Sequence, residues 1–397
     1  GCQISIKVKD GKVKYVEGIN GPANEGRLCV KGRFGYDYIH HQHRLTKPLI
    51  RREDAPAKGR NVNPDNWQDF FREASWDEAL DFAANGLKGR GREVAGFGSA
   101  KCTNEEAYLF QKFIRQGFGH NNVDHCTRLC HASSVSALIE NVGSGAVTAT
   151  FNEIENADVA IIIGANPLEN HPVAATYFKQ FTKRGGKLIV MDPREQGLKR
   201  FATHMLPFKP GADVSMLNAI MHVIVEEGLY DKQYIEAFTE NWDAEKEHLK
   251  QFPPEKMEAL CGIPADTLRA VARDFATAQA GMIFWGMGVS QHIHGTDNSR
   301  CLISLALMCG HVGRPGTGLH PLRGQNNVQG ASAAGLIPMI LPDYQTEPDD
   351  GVRSAFTDVW QSGDFSSEKG LTVTEIMDAV HADEIKAMYI LGENPAM

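Results

Sequence analysis

From Ser75 onward, short apolar runs alternate with longer stretches of helical periodicity. Few architectures accommodate that pattern. The strand candidates are Val159–Ile163, Lys187–Met191 and residues 282–285 and 386–391, and helices are expected at 216–226 and Ala265–Ala276. A strand without a polar face must be covered on both sides, so the alternation predicts parallel sheets with helices on each face. Ser75 with Glu78 and Thr103 with Glu106 have the spacing of capping boxes that open two of the helices. The amino-terminal part reads differently. Residues 4–8 and 13–16 alternate apolar with polar around an Asp10-Gly11 turn, which predicts a hairpin. Gly21-Pro22-Ala23-Asn24-Glu25-Gly26 then leads as a loop into Arg27-Leu28-Cys29-Val30-Lys31-Gly32, so Cys2 and Cys29 belong at the open end of one ribbon. At 397 residues, 42% of them hydrophobic, the chain exceeds one core and should form two or three domains.

Charge and apolar run length exclude two kinds of partner. A net charge of -8 with no basic cluster leaves no electrostatic footprint for nucleic acid. No apolar run approaches the roughly 20 residues that cross a bilayer. The eight cysteines are scattered rather than dense, which reads as reduced thiols or metal ligands in the cytoplasm. The opening Gly1-Cys2 without an initiator Met, and the stop at Met397, read as the two cut ends of a longer protein.

Three segments concentrate chemistry. A strand candidate ends twice in a similar tetrapeptide, Gly164-Ala165-Asn166-Pro167 and Gly392-Glu393-Asn394-Pro395. At the carboxyl end of a parallel strand, such a Gly admits close backbone approach and the Asn can hydrogen-bond a ligand, so the repeat suggests two related nucleotide-sized pockets. Around Cys130 the order is Cys126-Thr127-Arg128-Leu129-Cys130-His131. A thiolate there would be a soft metal ligand, and the adjacent His could exchange protons or orient an anion. The loop Pro321-Leu322-Arg323-Gly324-Gln325-Asn326-Asn327 carries amides suited to a polar ring system and one guanidinium suited to a small carboxylate. Each segment alone also has a structural reading: a core Cys-His pair, a solvated loop, a chance repeat.

Taken together, these residues resemble the molybdopterin-guanine-dinucleotide oxidoreductases, most closely the formate dehydrogenases, with Cys in place of selenocysteine. Gly1-Cys2 looks like the end of the family's opening cysteine motif, and Arg27 to Gly32 like its fourth cluster ligand and following Lys. Ser75-Trp76-Asp77-Glu78-Ala79-Leu80 looks like a common helix start. The resemblance implies that Cys2 and Cys29 are two ligands of a [4Fe-4S] cluster whose others are not in this chain, with Lys31 between cluster and pterin. It implies that Cys130 ligates molybdenum or tungsten carried by a bis-molybdopterin guanine dinucleotide. Gly164, Asn166, Asp192, Arg194, Gly211, Asp213, Gly286, Met287, Gly288, Gln291, Gln325, Gly392 and Asn394 would contact the pterin dinucleotides. A guanine edge suits a carboxylate, and Asp192 at a strand end fits that role.

The implied fold is multi-domain α/β, with two related Rossmann-like parallel-sheet domains and a small β-rich cluster domain. The expected regions are 1–50 for the cluster, a discontinuous α/β domain of 51–125 with 326–397, and a second of 126–325 carrying Cys130 and Arg323. The implied reaction is reversible oxidation of formate to carbon dioxide, with Arg323 holding the carboxylate and His131 positioning substrate or handling a proton. Electrons would pass to a partner subunit: a flavoprotein, a hydrogenase or a ferredoxin. Nitrate reductase or another oxo-transfer enzyme, and a scaffold subunit without catalysis, are the rival readings. His131 argues against the first, since related nitrate reductases usually have Met after the metal-site Cys.

Overall fold

The computed structural model describes residues 2–58, 61–346, 350–363 and 365–394. Gly1, Pro395 and Met397, which entered the opening motif, the second tetrapeptide and the chain's end, lie outside the described residues. The chain forms two compact units, one of residues 1–96, 112–123 and 348–389, the other of 97–111, 124–347 and 390–397.

In the first unit the expected hairpin is present as Ile4–Lys9 paired antiparallel with Lys12–Gly18. Asp10 (φ 52°) and Gly11 (φ 70°) supply the two left-handed residues that a tight hairpin turn requires. Asn24, fully buried, ties the ribbon's open end together. Its Oδ1 accepts from Gln3 N at 2.9 Å, and its Nδ2 donates to the Arg27 carbonyl at 3.0 Å. The neighbours of Cys2 and Cys29 are thereby held by one side chain. Helix Trp76–Leu87 starts where the sequence predicts, with Ser75 Oγ accepting from Glu78 N. Only half of that capping box forms, because the Glu78 carboxylate turns to Arg72 at 2.5 Å. Thr103 and Glu106, in the other unit, make both halves of theirs.

The second unit is built on a five-stranded sheet ordered Gly318–Pro321, Gly281–Trp285, Val159–Ile163, Lys187–Met191, His204–Leu206. Every pairing in it is parallel. Side chains alternate between faces, and the two cores sort accordingly. Ile161, Ile163, Ile189, Ile283 and Trp285 pack with helices Asp213–Glu226, Ala265–Ala276 and Gly295–Met308. Ala160, Ile162, Val190, Met282 and Phe284 pack on the other side with helix Pro172–Lys183. Burying one such aliphatic side chain contributes about 1.5–3 kcal/mol. That accounts for the apolar runs Val159–Ile163, 188–191 and Gly281–Trp285 in the three central strands.

Some boundaries differ from expectation. The strand expected at 282–285 begins at Gly281, where a β-carbon would lie 2.6 Å from the His311 ring. The helix expected from residue 216 begins at Asp213, directly after Gly211 turns the chain at φ 81°. The strand expected at 386–391 is Ala387–Ile390, and it belongs to a separate three-stranded sheet with Val94–Gly98 and Val123–His125. Among the described residues, no helix is long and apolar enough to cross a membrane.

Candidate active site

The sheet's chain order runs outward from Val159–Ile163 on one side, then returns to place Gly281–Trp285 on its other side. The crevice beyond the carboxyl ends of those two strands is a topological switch point, where open α/β sheets bind ligands. Gly164 and Gly286 follow the two strands, and their backbones nearly touch. A β-carbon on Gly164 would lie 2.8 Å from Gly288 C, and one on Gly286 would lie 2.4 Å from Gly164 O. The glycines at 164, 286 and 288 thus serve the close approach of two chain segments to each other.

The turn carrying Gly286 grips the Cys130 loop. Met287 Sδ lies 3.4 Å from Cys130 Sγ, Ser290 Oγ donates to the Cys130 carbonyl at 2.8 Å, and Gln291 Nε2 donates to the Leu129 carbonyl at 2.6 Å. Cys130 is 7% exposed. Burial pushes its thiol up to about 11, with Cys126 adding and the Arg323 charge opposing. The expected thiolate is therefore not a property of the polypeptide alone. A bound metal ion would have to supply the positive charge that removes the proton, and two adjacent soft sulfurs suit such an ion.

His131 is fully buried and both its ring nitrogens are engaged. Nε2 lies 3.1 Å from the Leu322 carbonyl, which requires an N–H there, and Nδ1 lies 3.1 Å from Ser134 Oγ. Trp285 Nε1 donates to the same Ser134 Oγ at 2.8 Å. The order of donors is consistent: indole to hydroxyl, hydroxyl to Nδ1, Nε2 to carbonyl. Burial drives the imidazole down to about 4, so it is neutral at physiological pH.

Arg323 sits between anchored carbonyls, its own carbonyl accepting from His171 Nε2 at 2.8 Å. Its Nη2 donates to the Gly145 carbonyl at 2.8 Å and its Nη1 to Gln329 Oε1 at 3.1 Å, while Nε is buried without a partner. The guanidinium is therefore oriented but not satisfied. Burial lowers its pKa, with Tyr344 and Cys130 opposing.

The two acidic candidates behave differently. Asp192 is committed to its own turn, accepting from Arg194 N at 2.8 Å and Gln196 Nε2 at 3.3 Å, with the Arg194 side chain largely in solvent. Asp213, the first residue of its helix, is 1% exposed and neither carboxylate oxygen has a partner. Burial raises its pKa. Asn166 Oδ1 and Gln196 Oε1 are buried without partners as well. These orphaned acceptors, beyond the strand ends, fit the amide edge of a pterin dinucleotide.

Gly392 (φ 67°) approaches the 99–102 loop, where a β-carbon would lie 3.0 Å from Cys102 Sγ; Asn394 is exposed and Gln325 half-buried. In the first unit, Cys2 and Lys31 are exposed and Cys29 is half-buried. Among the described residues, no three His, Cys, Asp or Glu side chains group to hold a metal ion. Sequence reasoning did not single out Ser134, Ser290, Trp285, His171 or Gly145, because their roles arise from contacts 100 or more positions away in most cases, such as the |i−j| of 151 for Trp285 with Ser134.

The sequence matches the molybdopterin oxidoreductase family over residues 44–397 and the molybdopterin oxidoreductase Fe4S4 domain over residues 1–41. It is 39% identical over 396 residues to the F420-dependent formate dehydrogenase subunit alpha of Methanocaldococcus jannaschii, covering 100% of this chain and 56% of that protein. It is 37% identical over 405 residues to formate dehydrogenase H of Escherichia coli, covering 100% of this chain and 55% of that protein. The chain thus spans about half the length of the curated relatives it matches. Among solved structures, acetylene hydratase from Pelobacter acetylenicus shares the fold with a TM-score of 0.77 at 21% identity, over 100% of this chain and 56% of that one.

Proposed function

The chain belongs to the molybdopterin oxidoreductase family, with molybdopterin carrying molybdenum or tungsten and a [4Fe-4S] cluster as its cofactors, and from that premise we propose that the protein it forms part of is a formate dehydrogenase. One observation carries the reading. The residue after Cys130 is hydrogen-bonded to the residue before Arg323, so a soft metal-ligand candidate and an incompletely satisfied guanidinium face one site.

In this reading Cys130 ligates the metal, with Met287 against its sulfur. Gly164, Asn166, Gly286, Gly288 and Asp213 line one pterin-dinucleotide pocket, and Gly392, Asn394 and Gln325 the other. We favour Asp213 over Asp192 for the guanine edge, because its two buried oxygens have no partners. Cys2 and Cys29 ligate the cluster, with Lys31 between it and the pterin. Residues 1–50 form the cluster region, 51–125 with 326–397 one α/β domain, and 126–325 the other.

Bound there, the cofactor supplies a centre that accepts two electrons. The polypeptide's task is to bind and aim the substrate. Arg323 presents Nε and its unused Nη hydrogens to the formate oxygens, a planar fork that fixes the direction of the C–H bond as a point charge could not. Fixing that direction matters, since a misplacement of about 1 Å costs roughly 100-fold in rate. Overall, formate yields carbon dioxide, one proton and two electrons. His131, neutral and bonded at both nitrogens, acts by holding Leu322 and hence Arg323 in place rather than by carrying the proton. The electrons leave to a flavoprotein, hydrogenase or ferredoxin partner, and the cytoplasm is the compartment this reading favours.

The test uses the full-length protein with measured molybdenum and tungsten content. Formate-dependent reduction of a viologen dye without nitrate consumption supports the assignment. Nitrate consumption without formate oxidation would replace it with an oxo-transfer enzyme, and absence of both metals would leave a scaffold.

A further inference from the structure

The hairpin Ile340–Leu341 with Gln345–Thr346 closes through Pro342, Asp343 and Tyr344. Asp343 (φ 63°) and Tyr344 (φ 56°) both lie in the left-handed region. Aspartate tolerates that region, but for a bulky aromatic it is an outlier that the surroundings must enforce. Glycine or asparagine would make this turn without strain. What a tyrosine adds to the turn is therefore decided by where its side chain goes.

It goes to the peptide that holds Arg323. A β-carbon on Gly145 would lie 3.2 Å from Tyr344 Cε1 and 3.5 Å from Cζ, so the hydroxyl-bearing end of the ring rests on Gly145. The carbonyl of the same Gly145 accepts from Arg323 Nη2 at 2.8 Å. Tyr344 and Arg323 thus flank one glycine, from the ring side and from the carbonyl side. Both carry a donor that is buried and unused, the Tyr344 hydroxyl and Arg323 Nε. The two groups sense each other electrostatically, although burial dominates both shifts, raising the phenol and lowering the guanidinium.

Two unsatisfied buried donors are costly unless something accepts from them. We propose that Tyr344 is a second substrate-binding residue, whose phenol O–H donates a hydrogen bond to the small oxyanion held by Arg323. The naming of that oxyanion as formate rests on the function proposed above; the pairing of donors does not. The positive φ aims the ring at Gly145, and Gly145 leaves room for it, since any side chain there would meet Val135 at 2.8 Å and the tyrosine ring. The hydroxyl adds what Arg323 lacks. A guanidinium fork fixes the plane of a carboxylate, and a third donor from another direction fixes which oxygen sits where.

The experiment compares wild type with Tyr344→Phe in the metal-loaded, full-length enzyme, with Arg323→Lys as a second variant. Formate binding to the reduced enzyme and nitrate binding to the oxidised enzyme, the states that cannot turn each anion over, are measured by calorimetry, and KM and kcat with formate and a viologen dye are taken alongside. Phenylalanine keeps the ring and the turn, so matched melting temperatures establish that the variant folds. Loss of one hydrogen bond to a charged group should weaken formate binding by about 10-fold to 100-fold. The KM for formate should rise correspondingly, with kcat changing less and the KM for dye unchanged. If wild type ignores formate but binds nitrate, and Tyr344→Phe weakens nitrate binding by that factor, the tyrosine's role stands while the formate assignment falls. If Tyr344→Phe binds formate or nitrate as wild type does while Arg323→Lys is impaired, the tyrosine inference is overturned and the formate reading is untouched. Failure of wild type to bind either anion overturns it as well.

Discussion

His131 Nε2 lies 3.1 Å from the carbonyl oxygen of Leu322, a hydrogen bond across 191 positions that joins the residue after Cys130 to the residue before Arg323. The distance between the metal-ligand candidate and the guanidinium proposed to bind substrate is therefore governed by one buried imidazole. Its second nitrogen belongs to the Ser134 and Trp285 chain, so neither side of the ring is left to a ligand.

Replacing that imidazole tests the role directly. In His131→Met the Leu322 carbonyl and Ser134 hydroxyl lose a partner inside the protein, each at about 1–3 kcal/mol. The melting temperature should fall and formate turnover should drop at least tenfold, with metal content per protein unchanged because Cys130 remains. Wild-type turnover at full metal occupancy would remove His131 from the site's working parts.

Asp192 and Asp213 should separate in a paired substitution. Asp192→Asn disturbs a turn whose donors come from Arg194 and Gln196, so it should cost roughly 1 kcal/mol of stability. Asp213→Asn removes a buried, unpartnered carboxylate, so the cofactor-free protein should be equally stable or more so while its pterin content falls. Thermal unfolding and extracted pterin, measured on both variants, decide the matter. Equal pterin retention by both would remove the guanine-edge role from Asp213.

Cys130 should be unreactive in metal-free protein. With its thiol pushed up to about 11, alkylation by iodoacetamide at pH 8 should proceed far more slowly than at Cys2, which is exposed. The Cys130 rate should climb as pH rises toward the thiol's own range. Peptide mapping by mass spectrometry reads both sites in one sample. Rapid labelling of Cys130 at pH 8 would show that something lowers its proton affinity in the absence of metal.

Acid sensitivity has a defined window. His311 and His320 are buried and held neutral, their pKa lowered by burial from 6.5 to about 4. The unfolded chain takes up these protons below pH 6.5 and the folded chain does not, so stability is complete above pH 6.5 and declines as pH falls from there toward 4. Between pH 6.5 and 5 each histidine should cost about 2 kcal/mol. Urea unfolding across that range checks the slope. His320→Phe, which keeps a ring stacked on Phe284, should flatten it.

Local pattern was sufficient for much of this molecule. The apolar runs Val159–Ile163 and 188–191 announce burial on both faces, the Asp10-Gly11 hairpin follows from backbone sterics, and the Thr103–Glu106 cap from a three-residue spacing. These are short-range properties, and a sequence states them openly. Residue type and the family resemblance likewise singled out Cys130, His131 and Arg323, and named Asp213 while preferring Asp192 for the guanine edge. What each of them does was decided elsewhere. The order of five parallel strands puts Gly164 beside Gly286, and that crossover joins segments more than a hundred residues apart. Folding then withdraws Cys130 and His131 from water, raising one pKa and lowering the other, so the thiolate and the proton-carrying imidazole suggested by residue type are absent from the free polypeptide. Tyr344 has no signal in the sequence at all. Its place beside Gly145 depends on a hairpin turn and on a glycine 199 positions earlier, and only packing brings such pairs together, because contact energies between distant residues leave no mark on local composition.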